Sequence, residues 1–211
     1  MPEPSRYMIP EKAHRVEETI RRSRFITTLG PARTVEDARA FIAGVADEFA
    51  DATHNCWAYL VGPPGDTSRI GMSDAGEPHG TAGRPMLTVL ETSGVGDIAA
   101  VVTRYYGGVK LGKGGLVRAY GGGVRNALET LPLFELVPKA TLRVELGYAA
   151  AEAVKRILPE HEAEAVDESY GAEVVLTITL PLERRAGFDA AVAGISNGRA
   201  VIREVSSDPA R

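Results

Sequence analysis

Sixteen of the chain's 23 glycines fall between Gly62 and Gly123. Glycine enters left-handed backbone conformations without steric cost and lets other atoms approach closely, but it weakens helices and strands. A 62-residue window this rich in glycine must therefore alternate regular elements with tight turns. The same window is asymmetric in charge. From Ile98 to Leu128 there are five basic residues, Arg104, Lys110, Lys113, Arg118 and Arg125, and no acidic one. The whole chain, at 211 residues, carries 28 Asp+Glu against 24 Lys+Arg, a formal charge of −4. A mildly acidic protein thus holds one basic, glycine-rich block.

Around that block, periodicity predicts the elements. Val16 to Leu29 reads as one strand, ended by Pro31. Thr34 is a helix N-cap, and Glu36 and Asp37 sit in the first turn, where negative charge suits the helix dipole. Val35, Ala38, Phe41, Ile42, Val45 and Phe49 recur at helical spacing. Asn55 to Val61 is a short apolar strand with Ser68 to Met72 as its hairpin partner. A short helix begins near Thr81 and runs through Leu90, with Pro85 tolerated in its first turn. Ile98 to Tyr105 is a strong strand. Leu116, Val117, Tyr120, Val124, Ala127, Leu128 and Leu131 then share one helical face. That helix contains Gly121-Gly122-Gly123. Each glycine costs about 1 kcal/mol against alanine, so the run implies close backbone approach to a sheet or a ligand.

Pro132 and Pro138 bracket a linker. Beyond it the predicted order is strand, helix, strand, strand, helix, strand, the split βαβ pattern of ferredoxin-like domains. The expected division is 1–137 and 138–211. The fold class is α+β, with two layers expected in the N-terminal domain.

Several function classes drop out. The longest stretch without Asp, Glu, Lys or Arg is Ala52 to Gly65, too short for a bilayer span of about 20 residues. There is no apolar signal segment near the N-terminus. The lone Cys56 cannot form an internal disulfide, and the expected compartment is the cytoplasm.

Gly107 and Gly112-Lys113 match G-x-x-x-x-G-K between a strand and a helix, as in a phosphate-binding loop. Gly114 stands where that loop needs a Mg²⁺-holding Ser or Thr, and no apolar strand ending in a metal-binding Asp follows. Anion binding survives as the weaker reading. Bare amides of Gly107, Gly108, Gly112, Gly114 and Gly115 lie beside Lys110 and Lys113 at a helix N-terminus. Arg118 and Arg125, seven apart, share a face. With Arg84, Arg104, Lys110 and Lys113 they make a phosphate-tracking surface, and Tyr105 or Tyr106 offers a stacking platform. A solvated charged helix is the plain alternative.

Ser73 to Pro85 forms a second unusual run. Asp74, Glu77 and His79 are possible acid–base groups or metal ligands. Turn chemistry for Asp74 and Gly76, and a helix cap from Thr81, account for them more simply, so no metal or cofactor is expected. His54 and Cys56 share one side of a strand, where an inert buried thiol is commoner than a nucleophile. No catalytic residue is assigned.

Three runs, Thr53 to Tyr59, Ser73 to Met86 and Arg104 to Tyr120, occur in order at compatible spacing. Together they resemble the IMPACT family, most closely its bacterial two-domain members of the YigZ type. The motif positions present are Asp74, Gly76, Glu77, Pro78, Gly80, Thr81, Gly83, Arg104, Tyr105, Gly107, Gly108, Gly112, Gly114, Gly115, Arg118 and Tyr120. Two positions depart from the family pattern: Ala75 replaces a frequent second acidic residue, and Lys113 replaces a small one. The resemblance implies an N-terminal fold like the second domain of a small-subunit ribosomal protein, shared with domain IV of elongation factor G. It implies a C-terminal ferredoxin-like domain resembling domain V of that factor. It also implies a link to translation control, with RNA or the ribosome as the expected partner. The eukaryotic kinase-regulating role does not carry over, because its partner-binding domain lies outside the resemblance. Two further functions remain open: an enzyme or sensor for a phosphorylated metabolite or nucleotide, and a protein-interaction adaptor. Oligomeric state is not readable from the sequence.

Overall fold

The computed structural model describes residues 6–208. The chain divides into two compact units, one at Tyr7–Glu135 and one that includes Leu136 and the residues after it. In the first, β1 (Tyr7–Pro10) pairs with β7 (Leu133–Leu136) in a small two-stranded sheet. The prolines flanking β7 make its sequence read as linker, and the expected Pro132 to Pro138 linker is strand for four of its residues.

The main sheet has the order β2-β3-β6-β4-β5, antiparallel throughout. Its strands are β2 (His14–Ile20), β3 (Ser23–Pro31), β4 (His54–Leu60), β5 (Ile70–Ser73) and β6 (Ile98–Tyr105). The single strand expected from Val16 to Leu29 is instead the β2–β3 hairpin. Its two-residue turn is Arg21-Arg22, with φ of 46° and 69°. A two-residue hairpin of this kind needs positive φ at both positions and usually takes Asn-Gly. Two arginines there carry no turn signal. The β4–β5 hairpin matches expectation, with Leu60 opposite Ile70.

Strand β6 is central and buried from Ile98 to Arg104. Its residues alternate between two cores. Ile98, Ala100 and Val102 face a cluster with Met86, Leu87, Leu116, Tyr120 and Val124. These come from α2 (Gly83–Glu91) and α3 (Lys113–Glu129). Ala99 faces the opposite way, with Ala38, Phe41 and Ile42 of α1 (Val35–Glu48). Helices therefore cover both sheet faces, one layer more than the two expected. The cap on α1 is as read: Thr34 Oγ1 accepts from the Asp37 amide, and the Asp37 carboxylate accepts from the Thr34 amide, each at 3.0 Å.

The second unit follows the predicted order. Its elements are β8 (Lys139–Leu146), α4 (Tyr148–Ile157), β9 (Glu164–Tyr170), β10 (Val174–Pro181), α5 (Arg185–Ser196) and β11 (Val201–Asp208). The strand order β11-β8-β10-β9, antiparallel at each pairing, is the ferredoxin-like arrangement. Asn197 ends α5 in the left-handed region, with the Gly198 amide bonded to the Ala193 carbonyl at 2.8 Å.

Candidate functional site

The three motif runs meet at one buried carboxylate. Glu77 and Arg104 are 8% and 5% exposed. Arg104 Nη1 donates to Glu77 Oε1 at 2.6 Å, and the Tyr120 hydroxyl donates to the same oxygen at 2.8 Å. Arg104 Nη2 reaches Ser23 Oγ at 3.3 Å, and that oxygen also accepts from the Gly107 amide at 3.2 Å. His54 Nδ1 bonds the Ala75 carbonyl at 2.9 Å, while its Nε2 stands 4.0 Å from Glu77 Oε1. The Cys56 thiol donates to the Asp74 carbonyl at 2.9 Å. Burial pushes that thiol up to about 12, so it stays protonated at neutral pH. Burial likewise raises the Tyr120 phenol, which acts as a donor to Glu77.

Asp74 organises the loop leading into α2. Its Oδ1 accepts from the amides of Ala82 (3.0 Å) and Gly83 (2.9 Å), and its Oδ2 from Gly80 (2.8 Å). Partial burial works to raise this carboxyl, but the Gly80, Gly83 and Ala82 amides outweigh it and hold it below its ordinary value. The helix cap is therefore Asp74, not Thr81. The Thr81 hydroxyl instead donates to the Pro78 carbonyl at 2.6 Å. His79 is exposed, 3.7 Å from Asp74. Among the described residues no group of three His, Cys, Asp or Glu is arranged to hold a metal ion. No helix there is long and apolar enough to cross a membrane.

The basic residues separate into an inner one and an outer set. Arg104 is committed to Glu77 and lies between the rings of Phe25 (5.4 Å) and Tyr106 (5.3 Å). Its guanidinium is thus engaged inside the fold, in the wall of a cavity beside α3. Tyr105 is engaged as well, its hydroxyl donating to Asp51 at 2.7 Å and Arg24 stacking on its ring. Of these two tyrosines, Tyr106 is the exposed one. Arg84, Lys110, Lys113, Arg118 and Arg125 are exposed, and none forms an ion pair among the described residues.

These five line two cavities beside α3. One, of about 660 Å³, lies between α2 and α3 and is lined by Arg84, Arg118, Arg125, Val117, Gly121 and Gly122, among others. The other, of about 430 Å³, is lined by Lys110, Lys113, Tyr106, Leu111, Arg104 and Glu77, among others. The glycine run in α3 divides its tasks. A Cβ on Gly121 would sit 3.6 Å from the Pro85 carbonyl of α2, and one on Gly123 would sit 2.6 Å from Thr27 Oγ1 of β3. Gly122 has nothing within 4 Å and opens onto the first cavity. Gly107 is fixed by packing, since a Cβ there would lie 1.9 Å from the Arg22 carbonyl oxygen.

Sequence reasoning missed Ser23 and the pairing role of Tyr120. A tyrosine on the apolar stripe of α3 was the available signal, because a buried phenol requires a hydrogen-bond partner. Ser23 carried none, since its hairpin was unrecognised.

Comparison with known proteins agrees with the motifs. Residues 21–128 match the Impact N-terminal domain, and residues 144–199 match DUF1949, a domain of unknown function. IMPACT family member YigZ of Escherichia coli is 43% identical over 91% of this chain and 94% of its own. IMPACT family member YvyE of Bacillus subtilis is 33% identical over 94% of this chain and 90% of its own. Protein IMPACT of Mus musculus is 33% identical over 52% of this chain, corresponding to 35% of that protein. A crystal structure of a hypothetical protein, 41% identical, superposes with a TM-score of 0.68 and covers 97% of this chain and 99% of that one. With both domains matched and relatives similar over nearly their full length, the chain belongs to the IMPACT family.

Proposed function

We propose that this protein binds RNA through its phosphate backbone, on the ribosome or on RNA engaged in translation, without catalysing a reaction. The observation that carries the proposal is the outer cation set. Arg84, Lys110, Lys113, Arg118 and Arg125 are exposed, unpaired among the described residues, and gathered on the two cavities flanking α3. Elsewhere, Arg15, Arg24, Lys155, Arg184 and Arg185 have carboxylate partners, while other exposed cations without an ion pair among the described residues, such as Lys12, Arg39, Lys139 and Arg156, do not line these two cavities. A cation with its own carboxylate has little net field to offer; an unpaired one attracts phosphate and releases counterions. The bare helix surface at Gly122 lets a strand approach closely, and Tyr106 offers a face on which a base can stack.

The inner residues support this surface and do not react. One Glu77 oxygen accepts from both Arg104 and Tyr120, Cys56 is a protonated buried thiol, and Asp74 is occupied by three amides. Membership of one family with a mammalian Protein IMPACT supports the assignment to translation control.

The test is RNA binding by Lys110→Ala/Lys113→Ala/Arg118→Ala across a salt series. All three side chains are exposed, so stability should change by less than about 0.5 kcal/mol each. Each lost contact to single-stranded RNA lowers the log–log salt slope by about 0.7. A folded triple variant with unchanged affinity and slope would remove the proposal.

A further inference from the structure

Resting on the RNA-binding reading, we propose that the 660 Å³ groove between α2 and α3 takes one unstacked nucleobase. The preferred RNA is then one with a bulged or looped-out nucleotide, not a continuous duplex. The groove has two chemically different parts. Its floor is apolar and closes where the helices meet: a Cβ on Gly121 would stand 3.7 Å from Pro85 Cβ and from Val89 Cγ2 of α2. Val117, 40% exposed, continues this apolar surface along α3. Its rim is cationic, with Arg84 from α2 and Arg118 and Arg125 from α3. None of the lining residues is acidic. None of the three arginines forms an ion pair among the described residues.

A second observation is independent of the charges. Gly122 lies in the interior of α3, where a glycine costs about 1 kcal/mol against alanine. At Gly123 packing explains the glycine, because a Cβ would lie 2.6 Å from Thr27 Oγ1. At Gly122 nothing stands within 4 Å, so no neighbour in the fold requires it. What its missing side chain provides is room in the groove.

Phosphate contacts explain the rim but not the floor. A continuous A-form duplex keeps its bases stacked inside and offers phosphates and 2′-hydroxyls. It would bridge the arginines and leave Val89 and Val117 uncovered. An unpaired nucleotide has a flat apolar face to bury and a phosphate on either side. Arg118 and Arg125 are separated by about 10 Å along the helix axis, with Gly121 and Gly122 between them. They engage the flanking phosphates while the base lies over Gly122, and the planar guanidinium of Arg84 closes on it from α2. The volume lies within the range of about 300–1,000 Å³ for pockets that enclose small ligands. The Thr88 hydroxyl already donates to the Arg84 carbonyl at 3.0 Å, so the lining presents no fixed donor–acceptor pattern to a base edge. The groove thus selects an unpaired base and not a particular sequence.

The experiment measures fluorescence anisotropy with two labelled RNA hairpins that differ only in one bulged adenine, and with a labelled acidic amphipathic peptide of glutamate and leucine. The bulged hairpin should bind about tenfold more tightly than the fully paired one, equivalent to about 1.4 kcal/mol. Gly122→Leu fills the groove without changing charge, so it should erase that preference and leave the affinity for the paired hairpin as it was. Val117→Ser, at an exposed position, should weaken binding of the bulged hairpin severalfold and spare the paired one. Equal affinity for the two hairpins, or a preference that survives both variants, overturns the base site and leaves backbone binding intact. Binding of the peptide with binding of neither hairpin reassigns the groove to a protein partner and removes RNA. Binding of none of the three overturns both readings.

Discussion

Replacing Glu77 by glutamine removes the carboxylate paired with Arg104 while keeping the side chain's size. The guanidinium then remains 5% exposed, between Phe25 and Tyr106, with no counter-charge. Breaking a buried pair from one side costs about 3–5 kcal/mol, because an uncompensated charge stays buried. For a unit of this size, about 4 °C of melting temperature goes with each kcal/mol, so Glu77→Gln should lower Tm by about 12–20 °C. Arg104→Met should cost a comparable amount. Removing the whole network should cost less than either single change, since a buried pair is often replaceable by apolar side chains of similar volume at little cost. Tyr120 must be changed as well, because its hydroxyl would otherwise lose its acceptor. The variant is therefore Glu77→Leu/Arg104→Met/Tyr120→Phe. Thermal and urea unfolding of these three proteins provides the assay. Additive losses, with the triple variant the least stable, would refute the description of Glu77 as a charge-compensating hub.

Three further predictions follow from local geometry. Asp74→Ala strips the acceptor from three amides at the start of α2, and should cost about 2 kcal/mol in urea unfolding, the upper range for a lost cap. Because the folded-state carboxyl is depressed, its contribution is present above the unfolded value and lost as pH falls through the folded one. The gap between wild type and Asp74→Ala should therefore close in acid. Gly107→Ala places a Cβ 1.9 Å from the Arg22 carbonyl oxygen and should destabilise the β2–β3 hairpin severely. Gly122→Ala meets nothing within 4 Å and should raise stability by about 1 kcal/mol in thermal unfolding, by relieving a helix-interior glycine.

Much of this molecule is legible in its sequence because local and tertiary preferences agree. Helix α1 is announced by Thr34, Asp37 and its apolar spacing, and the second unit by its alternating pattern. The β2–β3 turn is hidden because Arg21 and Arg22 occupy positive φ without any turn residue. Asp74 as a cap is hidden because it acts eight and nine residues downstream, beyond any local capping pattern. The glycine run predicted close approach, and the structure divides it: Gly123 packs closely on Thr27, Gly121 lies at ordinary contact distance from α2, and Gly122 opens to a cavity. Basic spacing placed Arg118 and Arg125 together, as found. It could not place Arg104 inside the core, because only the long-range meeting with Glu77, 27 residues earlier, makes that arginine a structural cation. Tyr105 and Tyr106 are adjacent in sequence, but Tyr105 ends β6 with its hydroxyl on Asp51, and Tyr106, the first residue past the strand, is the exposed one.

The most direct measurement is ultraviolet crosslinking of the protein to ribosomal RNA, with the modified peptides identified by mass spectrometry. RNA engaged on the α3 face places crosslinks in the peptides carrying Tyr106, Lys110, Lys113 and Arg118, and none on the opposite sheet face around Phe41 and Ile42. Crosslinks confined to residues 139–208, or present without the α3 peptides, would contradict it.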